Sequence, residues 1–311
     1  KFDPNFIVRL RAFIDISEQT SSDYVGTHVG YCIARGKPHY IVYDEDENRT
    51  VELTLLDLVV GPQQIESVDK VLASLETLSH PYLAEIISTG YSDGRPYIVR
   101  RIIPGERLSS RLGTSIAPME TAGHLASAAG AIAYLHSNKI IHGCISPGSF
   151  VLNAARHSVI IDAGVGALLS ALGISHRVDQ DDDDNWNYLA PEIEQGNNDF
   201  RSDIFSLGAI YYEMLGGQKP FRDSTQKLDG PEGLRKKKRS IPWIAEQVAL
   251  KALSPDPADR FEHMEQLVLA LEDLSHEDHF SVRTQKWQKA IWFMLGAIVL
   301  VLLLLVLSRT G

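Results

Sequence analysis

The chain has 311 residues, 44% hydrophobic and 23% charged, enough to bury a sizeable core and in the range of two structural units. Its formal net charge of −10 argues against nucleic acid as a partner, because phosphate backbones require a basic face. The two cysteines, Cys32 and Cys144, form neither a disulfide framework nor a metal-type spacing, and they fit a reducing compartment.

Residues 1–23 open on Lys1 without a leader-like apolar stretch and are read as an N-terminal extension, as in a segment of a longer protein. From Tyr24 to Ile103 the signals are strand-like. Tyr40–Tyr43 and Val51–Val60, around an acidic turn at Asp44–Asn48, predict a hairpin. Ile65, Val68, Val71, Leu72, Leu75 and Leu78 have helical spacing, and His80-Pro81 closes the helix. Leu83–Ser88 and Tyr97–Ile103 predict two strands around the Ser92-Asp93-Gly94 turn.

Past Pro104-Gly105 the pattern turns helical. Helices are expected at Met119–Asn138, Ser202–Leu215, Pro242–Ala252 and Met264–Leu274, with a small hairpin from Phe150–Leu152 and Val159–Ile161. The fold class is α+β, a strand-rich unit over 24–104 before a larger helical unit over 105–275. Residues 276–289 read as a juxtamembrane linker. Ala290–Ser308 carries no charge, and at ~1.5 Å per residue it matches a ~30 Å hydrocarbon layer. Trp287 and Trp292 sit at belt positions, with Lys289 and Arg309 at the ends. A transmembrane helix is expected there. Arg283, Lys286 and Lys289 outnumber Arg309, which places the N-terminal part in the cytoplasm of a single-pass membrane protein.

Several blocks share one order. They are Leu78-Ser79-His80-Pro81-Tyr82-Leu83, Asp93-Gly94-Arg95-Pro96-Tyr97-Ile98-Val99, and Tyr188-Leu189-Ala190-Pro191-Glu192. Then come Ser202-Asp203-Ile204-Phe205-Ser206-Leu207-Gly208 with Tyr212-Glu213-Met214-Leu215 and Pro220-Phe221, and finally Asp256-Pro257-Ala258-Asp259-Arg260-Phe261. In this sequence Tyr24–Leu274 resembles the protein kinase family, in the manner of bacterial Ser/Thr kinases with a transmembrane helix after the kinase domain. The resemblance implies a bilobal fold. It also implies that Glu192 pairs with Arg260, that Asp203 braces the catalytic loop, and that His142 points into the core. These are structural roles.

Phosphoryl transfer needs glycines over the phosphates, a lysine–glutamate pair, metal-binding groups and an aspartate that orients the hydroxyl. By the same resemblance the glycine loop falls on Ala34–Ile41, where only Gly36 remains; Pro38 removes an amide and His39 adds bulk. Thr54 stands for the lysine, with Glu52 against the adenine space. Val71 stands for the helix glutamate, or Lys70 with one residue of slippage. Cys144 stands for the catalytic aspartate, read as a packed thiol and not a nucleophile. Ser146 stands for the loop lysine, Ser149 for the metal-binding asparagine and Gly143 for the arginine. Asp162, in Asp162-Ala163-Gly164, is the one metal-ligand candidate. Arg100 guards the back of the pocket and is expected to reach Glu52 and fill the adenine space with an ion pair.

Asp179 and Asp181–Asp184 form an acidic run, a solvated loop or a dock for a basic partner. Arg235–Arg239 is a basic run, a solvated loop or a contact for anionic headgroups. The resulting expectation is a membrane-anchored pseudokinase, not an enzyme, with ATP and Mg²⁺ not expected as cofactors. Such a protein would bind, scaffold or allosterically control a protein partner, either an active kinase or its substrate. One alternative is an atypical active Ser/Thr kinase using Asp162 for metal. Another is a nucleotide sensor that does not hydrolyse.

Overall fold

The computed structural model describes residues 39–44, 49–56, 58–113, 116–174 and 184–276. Residues 1–23, Cys32, Gly36, Asp179 and Asp181–Asp183, and the Ala290–Ser308 run lie outside these. Among the described residues no helix is long and apolar enough to cross a membrane.

The N-terminal lobe is a four-stranded antiparallel sheet in the order β1-β2-β4-β3, from β1 (His39–Asp44), β2 (Arg49–Leu55), β3 (Ile86–Ser92) and β4 (Arg95–Arg101). Side chains alternate across a strand, so β2 sends Val51 and Leu53 to one face and Glu52 and Thr54 to the other. Val51 and Leu53 pack with Tyr97 and Val99 in a small cluster of their own. The opposite face, with Glu52, Thr54, Ile98 and Arg100, looks into the space between the lobes, and Ile98 joins the main core. Helix α1 (Ile65–Leu75) buries Val68, Leu72 and Leu75, at the three- and four-residue spacing of one helix face.

Two strands differ from the sequence pattern. β2 stops at Leu55, short of Val60, and β3 starts at Ile86, later than Leu83. The Leu83–Glu85 stretch is committed elsewhere: Leu83 forms an isolated bridge with Ile160, the Ala84 amide donates to the Ile160 carbonyl, and the Glu85 carbonyl accepts from the Arg101 amide. This stretch ties the upper sheet to the lower lobe.

The C-terminal lobe is helical. Helix α2 (Pro118–Ser137) and helix α4 (Phe200–Gly216) form its centre, with α6 (Trp243–Ala252) and a last helix at 264–276 packed around them. α4 is buried from Ser202 to Leu215. It begins with Asp199, whose side chain accepts from the Arg201 amide, and ends at Gly217 in the left-handed region. A Cβ on Gly208 would come within 2.6 Å of Ala252, so glycine sets how closely α4 and α6 cross. A small sheet of β5 (Glu106–Arg107), β6 (Phe150–Leu152) and β7 (Ser158–Ile160) carries the loops of the candidate site. Helix α3 (Val165–Ala171) follows the Asp162–Gly164 turn. The result is the bilobal arrangement that the resemblance implies.

Candidate functional site

The loop from His142 to Ser149 is held from below by Asp203 in the first turn of α4. The His142 and Gly143 amides donate to the two Asp203 carboxylate oxygens, each at 2.8 Å. His136 Nε2 lies 2.8 Å from the same carboxylate. Asp203 is fully buried, so these donors satisfy a charge that would otherwise be costly. Cys144 is buried, with Sγ 3.6 Å from the His142 carbonyl and 3.8 Å from His142 Nδ1. Ser146 and Ser149 close the loop's turn, the Ser146 amide donating to Ser149 Oγ at 3.1 Å.

Asp162 lies beneath this loop with no exposure. Its Oδ1 accepts from His142 Nε2 at 3.0 Å and its Oδ2 from the Ser149 hydroxyl at 2.8 Å. Burial opposes ionisation of this carboxyl. The neighbouring His142, the Ser149 hydroxyl and Arg100 outweigh it and hold its pKa below the ordinary 3.8. Burial likewise opposes charging His142, but the Asp162 carboxylate and then Cys144 raise its pKa well above 6.5. Both shifts favour the charged forms of the pair.

Arg100 is 1% exposed. It stands directly across the β2–β4 ladder from Glu52, but its guanidinium takes other partners. It donates to Thr54 Oγ1 at 2.7 Å and to the Ala163 carbonyl at 2.8 Å. Glu52 instead lies 3.7 Å from Arg107, which also donates to the Gly148 carbonyl at 3.0 Å. The expected Arg100–Glu52 pair is thus corrected. Thr54 is two residues along the same strand face, within reach of a long side chain on the diagonal, and the Ala163 carbonyl supplies a second acceptor. The Arg100 Nε–H has no acceptor among the described residues.

Val71 is half-buried against the core, while Lys70 is exposed and paired with Glu66 at 2.7 Å. Neither brings a carboxylate to Arg100. Gly164 adopts φ +90°, and a Cβ there would fall 2.4 Å from Leu75, so the end of α1 rests directly on the Asp162 turn. Farther down, Arg260 holds Glu192 in a bidentate pair at 2.6 and 2.8 Å. Its remaining donors go to the carbonyls of Ser254, Pro255 and Arg201, and its guanidinium lies 4.9 Å from the Phe205 ring centroid.

Sequence patterns gave no warning of two contacts. Arg107 is one. Lys227 is the other, buried on α5 (Ser224–Asp229), donating to the Trp186 carbonyl at 2.7 Å with its ammonium 3.9 Å from the indole centroid.

The fold, the braced loop and the Asp162 turn define a protein kinase domain, and a family model described as protein kinase domain matches residues 59–285. The chain belongs to the protein kinase family. Serine/threonine-protein kinase PrkC of Bacillus subtilis is 27% identical over 241 residues, 73% of this chain and 37% of PrkC. Serine/threonine-protein kinase PknB of Mycobacterium tuberculosis is 25% identical over 226 residues, 68% of this chain and 36% of PknB. The chain thus spans little more than a third of the length of these relatives. The crystal structure of the Mycobacterium tuberculosis PknI kinase domain shares the fold with a TM-score of 0.61 at 20% identity, covering 80% of this chain and 98% of that one. These matches correct the expectation that the chain is not an enzyme, because the relatives it resembles over most of its length are named as kinases.

Proposed function

We propose that this chain is an atypical Ser/Thr protein kinase that transfers phosphate to a hydroxyl of a protein substrate. The observation that carries the reading is the bonding of the buried Arg100 between the lobes. The Arg100 guanidinium is 1% exposed, its two bonded partners are the Thr54 hydroxyl and the Ala163 carbonyl, and its Nε–H lacks an acceptor among the described residues. A buried cation without a bonded carboxylate calls for an anion. Nucleotide phosphates are such an anion, and Arg100 would supply beside Thr54 the cation that relatives place on the lysine at that strand position.

The donor set also suits Mg²⁺, which is commonly held by one or two carboxylates together with substrate phosphates and water. Asp162 and Ser149 would hold it, and the ion would neutralise charge on the transferred phosphoryl group. The remaining work is positioning. Asp203 fixes the loop backbone, and the Glu192–Arg260 pair fixes the region below it. Cys144 is buried against His142 and supplies no carboxylate for the substrate hydroxyl. General acid–base help is worth about 10²–10⁴-fold, so turnover is expected to fall short of that of relatives by about that factor.

The charge-free Ala290–Ser308 run and the cations before it support an anchor that holds the domain at the cytoplasmic face of a membrane. Protein substrates at that surface, and an active kinase as partner, fit this placement.

The test is radiolabelled phosphate transfer from ATP with Mg²⁺, by the full chain, to itself and to a generic basic protein, alongside thermal unfolding. Slow incorporation that is lost in Asp162→Asn and in Arg100→Met is the expected result. Melting stabilised by nucleotide without incorporation would assign the chain to nucleotide sensing. Absence of both effects would overturn the reading.

A further inference from the structure

We infer that the surface formed by Arg235–Arg239 and the first turn of α6 docks onto an anionic lipid bilayer. Five consecutive cations are unusual in a chain of net charge −10, and the structure divides them into two roles. Arg235 and Lys238 are half-buried and tied down. The Arg235 amide donates to Glu246 at 2.7 Å and its Nε to the Ile241 carbonyl at 3.1 Å, while Lys238 Nζ reaches the Leu215 carbonyl at 3.4 Å. Lys236, Lys237 and Arg239 are exposed. Lys237 has a loose neighbour in Glu232 at 3.9 Å and a contact to Gln218 at 3.4 Å.

The Ile241 amide closes a turn onto the Lys238 carbonyl at 3.2 Å, which brings the start of α6 back beside the basic loop. There Trp243 is 60% exposed and Ile244 46% exposed. Single exposed apolar residues are ordinary, but an exposed tryptophan and isoleucine beside three exposed cations is a specific combination. Tryptophan sits at the headgroup level of bilayers, and lysine and arginine are attracted to anionic lipid at about fivefold in partitioning each. An acidic protein surface would satisfy the cations but leaves the two apolar side chains without a role.

A short tether would hold the domain near the bilayer. Residues 277–289 separate the last described helix from the Ala290–Ser308 run, and at full extension they span at most about 45 Å. This proximity rests on the anchor proposed above; the charge selectivity does not.

The test uses the full chain in nanodiscs of phosphatidylcholine alone or of phosphatidylcholine with phosphatidylserine. Acylation of Lys236 and Lys237 by an amine-reactive reagent is followed by mass spectrometry. Docking predicts acylation slowed by about fivefold or more on the anionic bilayer, recovered at high salt and in Trp243→Ala. Equal rates on the two bilayers overturn the proposal, whereas retention in the nanodisc reports on the anchor alone. Equal rates on both bilayers, with protection by a free peptide of residues 179–185, would give the face to an acidic protein partner and likewise overturn it.

Discussion

Two buried arginines divide this molecule. Arg260 is surrounded by acceptors: both oxygens of Glu192 and three backbone carbonyls take its donors. Arg100 has a hydroxyl and one carbonyl, with a further N–H left over among the described residues. Both are nearly inaccessible, so burial does not separate them. Their pairing does. The lower site is electrically closed and needs nothing from outside, as suits a structural brace. Between the lobes Arg100 bonds only neutral acceptors, and on this the proposed anion site rests.

That contrast can be broken most severely at the brace. Arg260→Ala strands the Glu192 carboxylate, and chemical denaturation should show a loss of about 3–5 kcal/mol. A return to wild-type stability would mean that the pair contributes little. Asp203→Asn keeps one acceptor oxygen and orphans one of two buried amides, so a cost of about 1–3 kcal/mol is expected in the same measurement. Amide exchange should quicken at His142 and Gly143, the residues it holds.

The upper cluster should respond to pH. His142 has a raised folded pKa, so its contribution is complete below 6.5 and is lost as pH climbs through the raised value. Asp162 has a depressed folded pKa, so its contribution is complete above 3.8 and is lost as pH falls through the lower value. The stability difference between wild type and His142→Asn should therefore peak between these limits and shrink on both sides. A flat difference would show that the pair is not charged. The smallest effect on stability belongs to Arg100→Met, within about 1 kcal/mol of wild type, because it removes a desolvated charge along with its hydrogen bonds. The same variant should lose any stabilisation by ATP.

The long elements are legible because their periodicity is strong. The α4 helix is readable from its strongly apolar stretch, and the strand pair flanking Ser92-Asp93-Gly94 from its turn chemistry. Boundaries are less so: Leu83 and Ala84 carry a strand pattern yet bond across to Ile160, a contact set by where the lower hairpin sits. At the site, the ladder position of Arg100 opposite Glu52 suggests a pair between them. The length of an arginine side chain and the nearness of the Ala163 carbonyl decide otherwise, and no local pattern encodes a contact between residues 63 positions apart. Arg107 is hidden from the sequence for the same reason, since its partners come from β2 and from the loop at Gly148.

The seating of Leu75 on Gly164 has a mechanical meaning. With no side chain between them, the end of α1 and the Asp162 turn are in direct contact, so a tilt of α1 would press on the turn. Whatever displaces the upper helix, whether a partner at its outer face or a ligand beneath the sheet, is felt at Asp162 without an intermediary. Ala163 adds little bulk to this turn, and the contact with α1 is made at Gly164 by leaving no space to fill.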